Sequence, residues 1–217
     1  MSSLKRYYDK KSISYNIKKK RLNKILELAF PVKGKLVLDI GCSTGYLGSI
    51  LQKKGAKVFG IDISKNAVKE ARKQLFSAQE LDLNEQKLPF KKNYFDLIIA
   101  SEIIEHLFEP EKILKEIHRI LKINGYLLIT TPNFLYWGHR IQFLKGEFEY
   151  QEEGPFDRSH IHFFTYLSLF NHLINSEFII EAENHLYPGA KIFNIIKKLF
   201  PSLFAYQFVI LAKKYRI

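Results

Sequence analysis

Val37-Leu38-Asp39-Ile40-Gly41-Cys42-Ser43-Thr44-Gly45-Tyr46-Leu47-Gly48 is the stretch of sequence that decides the fold of this chain. Its first four residues are typical of a buried strand, and an amphipathic segment that favours a helix begins at Tyr46. A glycine-containing turn at such a junction lets the backbone approach a ligand closely and points the first helix amides at it. The stretch therefore predicts an α/β fold with a ligand-binding turn after its first strand.

The alternation of strand and helix continues along the chain. We predict strands at residues 35–40, 57–62, 78–82, 95–100 and 126–131, and helices at 46–53, 65–74 and 111–121. Ser64 can cap the second of these helices, and Asn124-Gly125 indicates a turn before the fifth strand. Strands that alternate with helices imply a mostly parallel sheet with helices on both faces.

The two ends of the chain have a different character. Residues 1–32 have a basic, helical pattern, and residues 133–164 hold little regular pattern but many aromatic side chains. Further on we predict a helix at 167–175, a helical piece at 190–200 and two closing strands at 178–182 and 205–212. We interpret residues 1–217 as a single domain with an N-terminal helical cap (1–34) and an insertion that serves as a substrate lid (133–166).

Composition limits the class of protein. The chain has 217 residues, a formal net charge of +12 and one cysteine, so it cannot form an internal disulfide. Its first residues lack the apolar core of a signal peptide, and its apolar runs are too short to span a bilayer, which predicts a cytoplasmic protein. The lysines are spread along the chain without a recognisable nucleic-acid module, which favours a solvated surface over nucleic-acid binding.

Electrostatics at the glycine turn favour one cofactor over another. Asp62 ends the second strand 21 residues after Gly41, where a carboxylate can accept hydrogen bonds from both hydroxyls of a ribose. The dinucleotide pattern Gly-x-Gly-x-x-Gly is absent. Asp39, two residues before Gly41, would repel a pyrophosphate but suits a ligand with an amino group. S-adenosylmethionine carries such a group, and we therefore favour it over NAD.

Five segments in order resemble the motifs of class I S-adenosylmethionine-dependent methyltransferases. The first is the glycine turn itself, and the second is the end of the second strand with its ribose-binding acid. The third resembles the family's adenine-contacting segment, the fourth its strand four and following loop, and the fifth its lead into strand five. They are Val37–Gly45, Gly60–Ser64, Leu81–Leu83 with Leu88–Phe90, Phe95–Ile98 with Glu105–Leu107, and Leu121–Leu127. Ser43 and Asn124 depart from the family, which usually has glycine at both positions.

The resemblance implies a Rossmann-like, seven-stranded, mostly parallel sheet of order 3-2-1-4-5-7-6 with strand 7 antiparallel. The cofactor would lie across the carboxyl ends of strands one to three, and the substrate beyond strands four and five. The positions of this chain that match the family's cofactor site are Asp39, Gly41, Cys42, Ser43, Gly45, Asp62, Ile63, Asp82 and Leu83.

A base that removes a proton from the methyl acceptor is expected near the end of strand four. Glu102, a candidate substrate-binding residue, Glu105 and His106 follow that strand. His106 is a candidate general base, with packing beneath the cofactor loop as the alternative.

A second candidate segment is Asp157–Thr165. It resembles a segment in a family branch often tied to glycan, lipid-linked or quinone-like substrates. His160 and His162 would share a face of an extended chain, so either could be a base, and Arg158 could bind an anionic group. A polar hinge is the alternative. Asp157, His160 and His162 could also form a metal site together, but no further ligand is evident in the sequence and we predict no metal.

Two apolar segments have alternative interpretations. Trp137, a candidate substrate contact, lies among aromatic residues that could form either a substrate lid or a small satellite core. Residues 192–200 are apolar with flanking lysines and could touch a membrane, with ordinary packing as the alternative.

The sequence as a whole predicts an S-adenosylmethionine-dependent methyltransferase that acts on a small-molecule or lipid or glycan precursor, favouring O-methylation. The rivals are a nucleotide-dependent oxidoreductase, a catalytically silent cofactor-binding module or partner subunit, and an RNA methyltransferase. The Asn/Asp-Pro-Pro-aromatic motif expected of a base N-methyltransferase is absent after strand four, where Ser101–Ile104 stands.

Overall fold

A computed structural model describes residues 18–152, 154–189 and 194–215, together with Lys5, Tyr8 and Asp9. Within these residues seven strands form one sheet of order β3-β2-β1-β4-β5-β7-β6. β7 runs antiparallel to both β5 and β6, whereas the pairings among β1 to β5 are parallel. The predicted fold class and strand order are confirmed.

The strands lie close to their predicted positions. They are β1 (Leu36–Ile40), β2 (Lys57–Asp62), β3 (Ser77–Glu80), β4 (Phe95–Ser101), β5 (Leu121–Pro132), β6 (Phe178–Glu183) and β7 (Gln207–Lys214). β5 begins five residues earlier than predicted, because pairing with β4 jumps from Phe95–Leu121 to Leu97–Tyr126. Asn124 has φ +63° in this irregular stretch, a conformation that asparagine tolerates better than most residues.

The main helices cover the two faces of the sheet. They are α1 (Lys19–Ala29), α2 (Tyr46–Lys53), α3 (Lys65–Ala71), α4 (Pro110–Ile120), α5 (Trp137–Leu144), α6 (Tyr166–Asn175), α7 (Asn194–Leu199) and α8 (Pro201–Phe204). As predicted, Ser64 caps α3 by accepting a hydrogen bond from the Ala67 amide. α1, α2 and α3 pack on one face of the sheet, and α4 and α6 pack on the other.

Two helix predictions were incomplete. α5 lies in the region predicted to hold little regular structure. Its residues Trp137, Ile141 and Leu144 recur at helical spacing but are exposed, and only His139 is buried. The single helical piece predicted at 190–200 is α7 followed by α8. The break falls at Pro201, which begins a new helix because proline lacks an amide proton and cannot continue the preceding one. Residues 190–193 and most of 1–17 lie outside the described residues.

The sheet positions the functional site through its topology. The strand order reverses between β1 and β4, so the loops after these strands diverge and leave a crevice at their carboxyl ends. Within the described residues, no helix combines the length and the hydropathy that are needed to cross a membrane. The cytoplasmic location and the single-domain organisation stay predictions.

Candidate active site

A cavity of about 360 Å³ opens at the carboxyl ends of β1, β2 and β4. Its lining combines the glycine turn, the ends of β2 and β4, the loop after β3 and part of the insertion. Residues from these segments include Gly41, Ser43, Asp62, Ile63, Asp82, Leu83, Glu102, Ile103, His106, Leu107, Pro132, Pro155, Asp157, His160 and Tyr206. Many of these are sequence-predicted site residues, so the topology brings together segments that are far apart in the chain.

The glycine turn has a left-handed backbone at three positions. Gly41, Ser43 and Gly45 have φ of +71°, +49° and +88°. A Cβ on Gly41 would lie 2.1 Å from Cδ1 of Ile103, so a larger residue would force the Ile103 side chain to move. Ser43 adopts a conformation that is unfavourable for a residue with a Cβ, which explains why glycine is usual there. Its amide donates a hydrogen bond to Oδ2 of Asp62 at 2.8 Å, which ties the turn to β2.

Asp62 is held rigidly at the end of β2. One carboxylate oxygen accepts from the Ser43 amide and the other from the Ser64 amide, both at 2.8 Å. Burial raises the pKa of Asp62, and these backbone hydrogen bonds partly oppose that shift. The Ile63 amide also interacts with this carboxylate, whose two oxygens together have about four acceptor positions, so acceptor capacity remains for a hydroxyl group of a ligand.

Three predicted cofactor residues do not line the cavity. Asp39 is only 3% exposed, and Cys42 and Gly45 pack behind the turn, with Cys42 facing β2 at Gly60. Burial, followed by the charge of Asp62, raises the pKa of Asp39 to about 7. These three residues therefore lie behind the residues that line the cavity. Direct contact of Asp39 with an amino group stays a prediction.

Residues of the N-terminal segment lie at the cavity mouth. Tyr8 and Lys18 belong to the lining, Lys5 pairs with Glu80 at the end of β3, and Asp9 accepts a hydrogen bond from Oγ of Ser64 at 2.7 Å. This arrangement agrees with a cap over the cavity. Tyr7 and Tyr15, the other tyrosines of the predicted N-terminal cap, lie outside the described residues.

Glu102 lies at the end of β4 in a buried ion pair. Its Oε2 is 2.9 Å from Nη1 of Arg21 in α1, and its Oε1 accepts a hydrogen bond from Oγ1 of Thr130 at 2.9 Å. Glu102 has φ +58°, which is uncommon for a residue with a long side chain. The pair connects the N-terminal helix to the floor of the cavity.

His106 has a defined tautomer. Its Nδ1 lies 3.0 Å from the carbonyl oxygen of Ser159 and 3.0 Å from the hydroxyl of Tyr8. Because a carbonyl oxygen only accepts, Nδ1 carries the proton and Nε2 is the unprotonated nitrogen. Burial, followed by the nearby His160 ring at 4.7 Å, lowers the pKa of His106 to about 4. The side chain is therefore neutral near pH 7 and can accept a proton at Nε2.

Glu105, in the loop predicted to follow strand four, is a buried acid. Its Oε2 accepts from Oγ1 of Thr131 at 3.0 Å, while its Oε1 finds no hydrogen-bond partner among the described residues. Burial, followed by the charge of Glu102, raises the pKa of Glu105 well above its usual range. The only sequence signal was its position directly before His106.

Glu105 also belongs to a group that could coordinate a cation. Its ligand atom and those of His106 and His160 lie within 4.8 Å of one another. The metal set weighed from the sequence is not the one that the structure brings together. His162 lies apart at the surface, and Asp157 instead accepts from the amide and hydroxyl of Ser159.

Part of the predicted acceptor site is corrected by the structure. Residues 155–159 are mostly in turns. His160 lines the cavity, with Nδ1 3.0 Å from the Pro155 carbonyl oxygen, while the half-buried His162 lies outside it, with Nε2 3.4 Å from the Phe108 carbonyl oxygen. Arg158 is at the surface 3.5 Å from Glu152, and Trp137 is 43% exposed. Neither Arg158, Trp137 nor His162 lines the cavity.

The aromatic residues of the insertion form a satellite core. The ring of Phe156, which is buried, contacts the rings of Phe134, His139, Phe143 and Phe148 at centroid distances of 4.7–6.0 Å. This core holds the turn of residues 154–160 against the cavity. These packed rings agree with the satellite core that was one of the two interpretations of the aromatic residues. The neighbouring residues 154–160 contribute to the cavity wall.

Comparison with known proteins agrees with this geometry. A ubiquinone biosynthesis O-methyltransferase from Coxiella burnetii is 34% identical over 115 residues, which are 51% of this chain and 49% of that protein. One from Nitrosomonas europaea is 31% identical over 118 residues, 52% of this chain and 50% of that protein. The chain thus covers about half the length of these relatives.

Solved structures resemble the chain over nearly its full length. An S-adenosylmethionine-dependent methyltransferase from Archaeoglobus fulgidus superposes with a TM-score of 0.67 at 20% identity, covering 96% of this chain and 99% of that one. The [4+2]-cyclase SpnF gives 0.69 at 15% identity, covering 98% and 95%. These similarities show the fold alone, and the second accompanies a different reaction.

A family model described as a methyltransferase domain matches residues 38–129, the span that holds the glycine turn, Asp62 and His106. Over this span the chain is similar to S-adenosylmethionine-dependent methyltransferases. This similarity supports S-adenosylmethionine over NAD as the ligand of the cavity.

The residues of the cavity fit S-adenosylmethionine. Asp62 presents fixed carboxylate oxygens for a ribose, and Ile63, Leu81 and Leu83 provide apolar surface for an adenine beside it. Asp82 accepts a hydrogen bond from the Asn84 amide at 3.0 Å, which orients the loop along which the adenine would lie. Glu102, His106 and His160 line other parts of the same cavity, where an acceptor could enter.

Proposed function

We propose that this chain transfers a methyl group from S-adenosylmethionine to an oxygen atom of a small-molecule acceptor. The observation that carries this proposal is the hydrogen bond of His106 Nδ1 to the Ser159 carbonyl in the wall of the cofactor cavity. An O-methyltransferase needs a group that removes the acceptor's hydroxyl proton as the oxygen attacks, and a neutral imidazole suits that task. The relatives named as O-methyltransferases support the same reaction.

The residues have distinct roles in this proposal. Asp62 binds the ribose, Asp82 and Leu83 meet the adenine, and the backbone of Gly41 and Ser43 borders the methionine part. S-adenosylmethionine supplies a methyl group activated by the positive charge on its sulfur. His106 takes the acceptor's hydroxyl proton on Nε2, while the Ser159 carbonyl keeps the other ring nitrogen protonated and the ring oriented.

The acceptor is proposed to be a hydroxylated aromatic or quinone-like ring. Ile103, Leu107, Pro132, Pro155 and Tyr206 give the cavity apolar and aromatic walls that suit a flat apolar ring. The relatives' name points to the same chemical class. Glycan precursors, lipid precursors with other head groups and RNA are the alternatives that an acceptor screen distinguishes.

The test has two stages. Calorimetric titration with S-adenosylhomocysteine should show micromolar binding by the wild type and its loss in Asp62→Ala, with Glu181→Ala, an exposed acid on β6, as the matched control. Radiolabelled S-adenosylmethionine is then offered with catechols, hydroxyquinones, glycans and RNA. Binding without transfer to any acceptor would favour the silent cofactor-binding module, and transfer to RNA would overturn the small-molecule proposal.

A further inference from the structure

An exposed apolar surface on α7 is not used by the proposed chemistry. Ile195, Ile196, Leu199 and Phe200 are 78%, 50%, 68% and 56% exposed, and we call them the α7 apolar face. Their spacing of i, i+1, i+4 and i+5 sets them on one side of a helix, and the Phe200 amide continues the helical turn by donating to the Ile196 carbonyl at 3.2 Å. Contiguous apolar residues of this size on a surface indicate an interaction site.

The charged residues of α7 itself are both positive. No Asp or Glu follows Glu183 in the sequence. Lys197 and Lys198 flank the apolar face on the helix, and Lys197 is directed along the neighbouring loop by a hydrogen bond to the Pro188 carbonyl at 3.0 Å. An apolar stripe between lysines matches a surface that is apolar inside and anionic outside, which is the chemistry of an anionic bilayer.

The α7 apolar face is connected to the cavity by a rigid link. α8, which directly follows it, is fixed by the buried amide of Asn133, whose Nδ2 donates to the carbonyls of Ser202 at 3.1 Å and Ala205 at 2.7 Å. Pro132, Tyr206 and Gln207, on either side of this link, line the cavity. A molecule held at the α7 apolar face therefore lies near the wall that the acceptor would use.

We propose that the α7 apolar face docks on an anionic phospholipid bilayer and lets the enzyme take an acceptor with a lipid tail from that bilayer. The proposed docking is argued from the exposed surface alone. The proposed uptake of a lipid-tailed acceptor also rests on the proposed methyl transfer. The helix is short, so docking is reversible and depends on salt, because the lysine attraction to lipid phosphate supplements a small apolar contact.

Vesicle sedimentation tests the surface. The full chain should pellet with vesicles of phosphatidylcholine and phosphatidylglycerol, and added salt or vesicles of phosphatidylcholine alone should reduce this strongly. The double variant Ile195→Ser/Leu199→Ser should lose at least about tenfold in partitioning, since it removes two side chains that enter the bilayer. The matched control is Leu167→Ser/Ile174→Ser, which changes two exposed apolar residues of α6 and should bind like the wild type.

Three results would overturn the proposal. The wild type could fail to pellet with anionic vesicles, or the double variant could pellet as well as the wild type. Alternatively, light scattering could show a wild-type dimer that the double variant abolishes with no change in vesicle binding, which would assign the face to a second copy of the chain. Since sedimentation needs neither cofactor nor acceptor, it stays informative when no acceptor is methylated. Conversely, the double variant should keep its activity on a soluble, tail-free acceptor.

Discussion

Nδ1 of His106 lies 3.0 Å from the carbonyl oxygen of Ser159, a residue 53 positions further along the chain. This contact joins the end of β4 to the insertion and determines which imidazole nitrogen is free. The backbone of Glu105 makes the same connection, since its carbonyl accepts hydrogen bonds from the Ile161 and His162 amides at 3.0 Å. The insertion is therefore part of the candidate active site.

His106 is predicted to be the general base. His106→Gln should lower the turnover of the best acceptor by about 10²–10⁴-fold, because glutamine keeps a polar side chain but cannot accept the proton. Cofactor binding by calorimetry should change little. His162→Gln alters a half-buried histidine outside the cavity and should stay within about twofold of the wild type. Equal losses in the two variants would contradict the assignment.

His106 should also shape stability against pH. Its pKa is lowered from 6.5 to about 4, so between these values the unfolded chain binds a proton that the folded chain does not. The folded state therefore loses stability as pH falls from about 6.5 toward 4, by about 3 kcal/mol in full. Urea unfolding across this range should show that the free energy of unfolding of the wild type falls relative to that of His106→Gln as pH falls. Comparison with the variant is required because the raised pKa of Asp39 acts in the opposite direction. A difference that does not change with pH would contradict the lowered pKa.

The buried pair of Arg21 and Glu102 should be strongly coupled. Arg21→Met removes the cation opposite the Glu102 carboxylate, which keeps the hydrogen bond from the Thr130 hydroxyl, and should destabilise the fold by about 3 kcal/mol. The double variant Arg21→Met/Glu102→Gln removes the uncompensated charge and should recover part of that loss. Denaturant midpoints of the two single variants and the double variant give the coupling. Additive effects would show that the pair is not energetically linked.

Ser43 carries a backbone cost that glycine would remove. Its φ of +49° should make Ser43→Gly more stable than Ser43→Ala by about 1 kcal/mol, since alanine keeps the Cβ and glycine does not. Comparing these two variants with each other separates the backbone effect from loss of the hydroxyl. Thermal unfolding supplies the measurement, and an alanine variant as stable as the glycine variant would refute the prediction.

Lys214 is predicted to be a structural lysine. Its ammonium donates to Oδ1 of Asn93 at 3.0 Å and to the carbonyls of His118 and Leu121 at 2.7 and 2.8 Å, so its three protons all have acceptors. Lys214→Met should destabilise the protein by about 2–4 kcal/mol because these acceptors lose their donor. Lys115→Met, at an exposed position of α4, should change stability by less than about 0.5 kcal/mol. Similar values for the two variants would exclude this role.

The sequence by itself determined the fold and the cofactor edge of the site. Strand and helix periodicity, the turn at Gly41 and the acid at Asp62 are local features, because each follows from residues close together in the chain. Ser64 could be recognised as a helix cap, and Asn124 as a turn residue, for the same reason. The similarity to methyltransferases rests on these same segments in their order.

Only the tertiary structure decided the acceptor side. The orphan oxygen of Glu105, the tautomer of His106 and the inward turn of His160 depend on contacts between β4 and an insertion some 50 residues away. Local periodicity could not show that residues 155–159 turn, and so it wrongly gave His160 and His162 a common face. Burial likewise moved Asp39 into the wall and left Arg158 and Trp137 at the surface. Such long-range packing sets hydrogen bonds, burial and pKa values, and these are the quantities on which the chemistry of the acceptor depends.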